Sequence, residues 1–312
     1  MNALAYDWME KQDYVQARQN FEQMVDDLDS GEASSMSHSD LERELEKRSR
    51  ELMRQLLQEH LDKRGPGQCQ EPVCGADRQQ RPRKRTHVRD LETIFGKVQV
   101  ERTGYGYPGT DSLHPLDAEL NLPEDPYSLE LRRRVAEEAA KSSYDETVES
   151  IANRTGANVG KRQVEELVGR AACDFDAFYL LREAEADETP SGSSLLVLSV
   201  DGKGVTMRTE HLNYDRYLAA GMPIATGVIE GACRHLVKDR MEITGARWGL
   251  TGAEAVLRLR ALRSSGDFDA YWNFHEACEY RRNHQSRYAG GLVPETNSSR
   301  SSRKSPNLKR VK

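Results

Sequence analysis

Two acidic landmarks of this chain stand very close together. Residues 195–204 (LLVLSVDGKG) read as a buried strand that ends in Asp201. Residues 223–241 (PIATGVIEGACRHLVKDRM) contain a helix-like segment opened by Glu230. Position 230 minus 201 leaves 28 intervening residues. At ~5 residues per strand, ~11 per helix and ~4 per connection, a core that needs four further strands and a helix, more than ~45 residues, cannot fit in that interval.

The 312 residues permit two or three domains. Hydrophobic residues make up 37% and charged residues 31%, with a mean hydropathy of -0.78, which predicts a polar, helix-rich chain with a modest core. The net charge is -6, so any nucleic-acid contact must come from local basic patches. No stretch approaches the ~20 apolar residues of a membrane span. The opening residues, MNALAYDW, lack a basic n-region and an apolar h-region, so no secretion signal is expected. Five scattered cysteines suit a reducing cytoplasm better than a disulfide framework.

The expected fold class is α+β and predominantly helical. A helical arm is expected over 1–64. Its first helix runs from about Tyr6 to Leu28 and stops at Gly31; its second starts at a Ser39/Glu42 capping box and carries the stripe Leu41, Leu45, Leu52, Leu56. Region 65–128 holds a basic loop from Arg78 to Arg89 and a small β-hairpin. The hairpin strands are 91–95 and 98–102, turning at Gly96-Lys97, and the valines of the second alternate with polar residues. A helical region over 129–186 has helices from about Leu129, from Tyr144 to Asn153, and from Lys161 towards Leu181. Residues 187–210 hold the Asp201 strand, 211–296 the Glu230 helix and its successors, and 297–312 a basic, disordered tail.

A strand that ends in Asp-Gly places a carboxylate at the edge of a sheet, where ligand sites form in open α/β sheets, although Val-Asp-Gly also closes many inert strands. On the Glu230 segment, Arg234 lies one turn on and Lys238 two turns on. That edge suits a metal ligand beside a phosphate backbone, and it equally suits a solvated ion pair. Several blocks resemble the ISKra-type insertion-sequence transposases of the DDE class: 91–96 (LETIFG), 113–123 (LHPLDAELNLP), 199–204, 217–248 and the ending 290–294 (GGLVP), all in family order. The resemblance covers nearly the whole chain beyond residue 38. It implies a bacterial RNase H-like catalytic domain with an Asp-Asp-Glu triad and two Mg2+ ions. Asp201 matches the first Asp and Glu230 the terminal Glu, which makes these two the expected catalytic and metal residues.

The second Asp has no match. The one aspartate between them, Asp215, lies in what resembles the family's lead-in to its Glu helix. Two-metal phosphoryl transfer needs ligands that hold ions ~3.5–4 Å apart. Two unscaffolded carboxylates offer at most a single weak Mg2+ contact, so the expected product is an incomplete RNase H-like remnant without strand cleavage. Its expected partners are DNA at transposon terminal inverted repeats and, by self-association or pairing, a second copy or a full-length transposase.

For DNA contact the candidates fall in three places. Arg83, Lys84 and Arg85 in the basic run can track phosphates. Residues 144–170 read as helix-turn-helix, with Gly156 in the turn and Lys161 and Arg162 opening the second helix; the same residues fit an ordinary helical hairpin with Val164, Leu167 and Ala171 in its core. In the recognised block, Arg234, Lys238, Arg240, Arg247 and Trp248 are candidates, Trp248 either stacking on a base or packing in the core. Cys69 and Cys74 (C-x4-C) offer half of a zinc site, but downstream only His87 and His114 are available to complete it, so zinc is not expected.

Overall fold

The computed structural model describes residues 13–187, 233–241 and 248–297. Their elements are mostly helical, with one two-stranded antiparallel sheet, so the α+β, predominantly helical class holds. The Asp201 strand, Glu230 and the tail lie outside the described residues.

The arm consists of α1 (Val15–Leu28), a single turn α2 (Gly31–Ser35) and the long α3 (His38–Arg64). The hydroxyl of Ser37, not Ser39, caps α3 by accepting from the Asp40 amide at 3.2 Å. Ser37 has extended backbone (ψ 154°), which frees His38 and Ser39 to enter the first turn. No residue of α3 is fully buried; the helix lies between α1 and the hairpin with a half-exposed leucine stripe.

The hairpin is longer than its hydrophobic pattern predicts. Strand β1 (Arg83–Thr93) pairs with β2 (Gly96–Gly106) in the register Leu91↔Val98, Arg89↔Val100, His87↔Arg102, Arg85↔Gly104 and Arg83↔Gly106. The turn is therefore Ile94-Phe95, two residues earlier than expected, and the basic run is strand rather than loop. Leu91, Val98 and Val100 point inward with Leu116 and Leu122. Leu116 belongs to the one-turn helix α4 (Pro115–Glu119).

A helical core follows. Helix α5 (Leu129–Ala139) is capped by Ser128, and α6 (Tyr144–Arg154) by a reciprocal capping box of Ser143 and Glu146. Helices α7 (Lys161–Ala171) and α8 (Phe175–Asp187) are separate, not one helix towards Leu181. The chain breaks at Asp174, whose buried carboxylate is held by His275 and Arg282 from a distant helix. After a helical segment of π form (Cys233–Lys238) continued by Asp239–Met241 come α9 (Leu250–Ser265) and α10 (Phe268–Asn283). The main core joins Leu131 and Val135 of α5, Ile151 of α6, Val164 and Leu167 of α7, Val256 and Leu259 of α9 and Tyr271 of α10. Burial of a Leu or Val side chain contributes roughly 1.5–3 kcal/mol.

A second cluster crosses the expected boundary between 65–128 and 211–296. Cys69, Val73, Tyr105, Leu113 and Ala118 pack on Tyr288. Isolated bridges join Cys69 to Thr296 and Gly75 to Tyr288. Residues 288–296 therefore close the hairpin region rather than forming a separate lobe.

Candidate nucleic-acid interface

Alternation along β1 decides which cations can act together. Side chains two apart share a face of a strand, so Arg83, Arg85, His87 and Arg89 lie on the face that carries Leu91 and Thr93 into the core. Near the turn that face is apolar and buried; towards the open end it becomes basic and exposed. Arg83 and Arg85 oppose Gly106 and Gly104, so no side chain crosses to cover them. Neither forms an ion pair among the described residues. Lys84 points to the opposite face, where its ammonium stands 5.5 Å from the Tyr105 ring centroid. The consecutive cations expected to form one patch are thus divided: two arginines on one face, the lysine on the other.

Farther along the same face, Arg89 donates to the carbonyls of Pro123 (2.5 Å), Glu124 (3.2 Å) and Asp125, which fixes the loop before α5. Both Arg89 and Arg102 contact the buried Asp117 carboxylate. His114 lies against His87, with ring centroids 6.1 Å apart. Burial, then Arg102 and His87, push the His114 ring down to about 3.

The helix-turn-helix candidates fare differently. Lys161 is exposed and pairs with Asp145 at 2.7 Å, and Arg162 with Glu166 at 3.2 Å. Glu165 and Glu166 share the exposed side of α7 with them, while Val164, Leu167, Val168 and Ala171 are buried. A surface of mixed sign attracts phosphates weakly. The turn itself is occupied: the Gly156 amide donates to the Ile94 carbonyl at 2.9 Å, and Arg50 of α3 donates to the carbonyls of Asn153 (2.7 Å) and Thr155 (3.3 Å). A Cβ on Gly156 would stand 2.3 Å from the Phe95 carbonyl oxygen, so only glycine admits the hairpin turn here.

Arg240 is withdrawn from the surface, and Trp248 takes the core-packing alternative. Arg240 is 2% exposed; its guanidinium sits 4.6 Å from the Trp248 ring and 5.4 Å from the Tyr144 ring, and its Nε donates to the Ala139 carbonyl. This internal stack of guanidinium and indole joins the Asp239–Met241 turn to α5 and α6. Lys238 is exposed. Asp201, Glu230, Arg247 and the side chain of Arg234 lie outside the described residues.

Among the described residues, one group has metal-type donors within mutual reach: Cys173, His275 and Glu279, with ligand atoms within 4.8 Å of one another. Cys69 and Cys74 belong to no such group. The cation of this cluster is already present. Fully buried Arg132 donates to Glu279 (2.7 Å) and Asp125 (2.7 Å) and stands 3.3 Å from His275 Nε2, while His275 Nδ1 meets Asp174 at 2.7 Å. Burial opposes the Glu279 charge, but Arg132, His275 and Arg282 outweigh it and hold the carboxyl below its usual range. Burial, with Asp174, pushes the Cys173 thiol up to about 11, the reverse of what a ligating thiolate needs. A metal would have to displace a guanidinium that has no exit, so the group reads as a structural ion network among α5, α8 and α10. Only the pairing of distant helices reveals it; nothing in the sequence spacing does.

Comparison of the chain with protein-family models, with curated proteins and with solved structures finds no match.

Proposed function

We propose that this protein binds DNA as an internally deleted relative of the ISKra-type transposases and does not cleave strands. The observation that carries the binding half is the β1 face: Arg83 and Arg85 leave the core in register, exposed, opposite glycines and without an ion pair among the described residues. The non-cleaving half rests on the 28 residues between Asp201 and Glu230, too few for the sheet that would bring a third carboxylate and two Mg2+ ions together. A second reading, a regulator that occupies transposon ends and inhibits an intact transposase, uses the same surface and is favoured by the loss of the catalytic middle alone.

The test is fluorescence anisotropy with labelled terminal inverted-repeat duplex against a scrambled duplex, across a salt series. Binding that weakens with salt, with a slope of about 0.9 per phosphate neutralised and smaller in R83A/R85A, is expected. The same samples in Mg2+ or Mn2+ should leave the duplex unnicked. Absence of binding removes the reading, and nicking restores catalysis to the chain. Suppression of an intact transposase in a mixed reaction selects the regulator.

A further inference from the structure

The basic face of the hairpin runs into a cleft of about 640 Å³ between β1–β2, the 111–114 loop and the end of α10. Arg89, Arg102, His114, Arg282, His284 and Arg287 line it. Arg89 and Arg102 both contact one buried carboxylate, Asp117, and the acids Asp111 and Glu124 also line the cleft. Arg282 is satisfied by Asp174 and Glu279. Among the described residues Arg287, at the mouth, reaches only the Ser112 carbonyl at 3.5 Å and the exposed Asp111 at 4.0 Å.

Three buried polar atoms here have no partner among the described residues: Arg102 Nε, His284 Nε2 and Asp117 Oδ1. His284 is 6% exposed, so its ring has no water to turn to. Buried donors and acceptors are nearly always paired, and an orphan in a cleft marks a place for a ligand atom. The orphaned Arg102 N–H, the loosely held Arg287 guanidinium and an imidazole that can take up a proton suit an oxyanion, whereas the Asp117 Oδ1 acceptor does not. Burial, with smaller contributions from Arg287 and Arg89 and against a hydrogen bond to the Leu122 backbone, pushes the His284 ring down to about 4.

We propose that this cleft receives a phosphate group of the nucleic-acid strand that lies along Arg83 and Arg85, held by Arg102, Arg287 and His284. The proposal rests on the DNA-binding reading and adds its anchoring point. Arg287 supplies the clamp at the mouth; Arg102 and His284 supply the floor.

Two measurements on the full chain separate it from that reading. In the first, histidine ring resonances are titrated with pH in the presence of pyrophosphate or of chloride at equal ionic strength. Pyrophosphate should raise the His284 and His114 midpoints by at least about one pH unit in wild type and in R287K, and by much less in R287A. Midpoints that ignore pyrophosphate, or respond equally to chloride, overturn the proposal. In the second, R287A should lower the salt slope of duplex binding by about 1, with R287K restoring it. If R83A/R85A lower the slope and R287A does not, the cleft is not the anchor although DNA binding stands. If the histidines respond but no duplex binds, the strand is overturned as the source of the phosphate. Comparing 5′-phosphorylated with 5′-hydroxyl duplex tells a terminal phosphate (tighter with the former) from an internal diester (equal).

Discussion

Acid should destabilise this protein well before its carboxylates are titrated, and His284 is the residue to test. Burial, with Arg287 and Arg89, holds its ring at about 4, against an ordinary 6.5. The folded-state pKa is the lower one, so the folded protein binds fewer protons. The histidine's stability contribution is fully present above about 6.5 and is lost as pH falls towards 4. Between pH 8 and pH 5 the loss is RT ln[(1 + 10^1.5)/(1 + 10^-1)], or about 2 kcal/mol. Asp117, raised chiefly by burial, works in the opposite sense, but its contribution is common to wild type and variant and cancels in their difference. The perturbation is His284→Gln, which keeps a polar, uncharged side chain and removes the titration. Urea unfolding at pH 8, 7, 6 and 5, followed by circular dichroism, should show the variant losing about 2 kcal/mol less than wild type over that range. Parallel stability curves for the two proteins would refute the argument that this ring is held neutral by burial and arginine.

Three further outcomes follow from the packing. Gly156→Ala forces a Cβ onto the Phe95 carbonyl and should cost about 1–3 kcal/mol in thermal or chemical unfolding; a neutral effect would show that the hairpin turn does not dock there. Arg240→Ala should cost about 2 kcal/mol and change Trp248 fluorescence while leaving duplex affinity unchanged; lost affinity would return Arg240 to the DNA surface. Arg132→Met leaves Asp125 and Glu279 without their buried cation and should cost about 3–5 kcal/mol, whereas added Zn2+ should not raise the wild-type melting temperature; a rise would mean that Cys173, His275 and Glu279 take a metal.

The helices that sequence reasoning located best are those whose ends carry local chemistry. Ser128 caps α5, Ser143 and Glu146 box the start of α6, and the apolar positions of α7 recur at helical spacing, so each start is written within four residues. The errors occur where distant residues decide. The first half of β1 has no apolar alternation, since Arg83 to Thr86 are all exposed; its strand form is imposed by the ladder to β2. Ile94 and Phe95 look like strand because they are apolar, yet they are a half-buried turn packed against Gly156. Helices α7 and α8 look continuous, yet Asp174 is drawn to His275 and Arg282 about a hundred residues away.

The candidate site divides in the same way. Basic residues at 83–85 are visible in the chain, and so are the resemblance blocks and the short interval between Asp201 and Glu230. Those depend on residue identity and spacing, which the chain states directly. Which cations face together, the withdrawal of Arg240 and Trp248 into an internal stack, and the meeting of Arg102, His284 and Arg287 around one cleft depend on tertiary structure. These contacts bring together residues as much as 185 positions apart, and only packing determines whether a charge there finds water, a partner or neither.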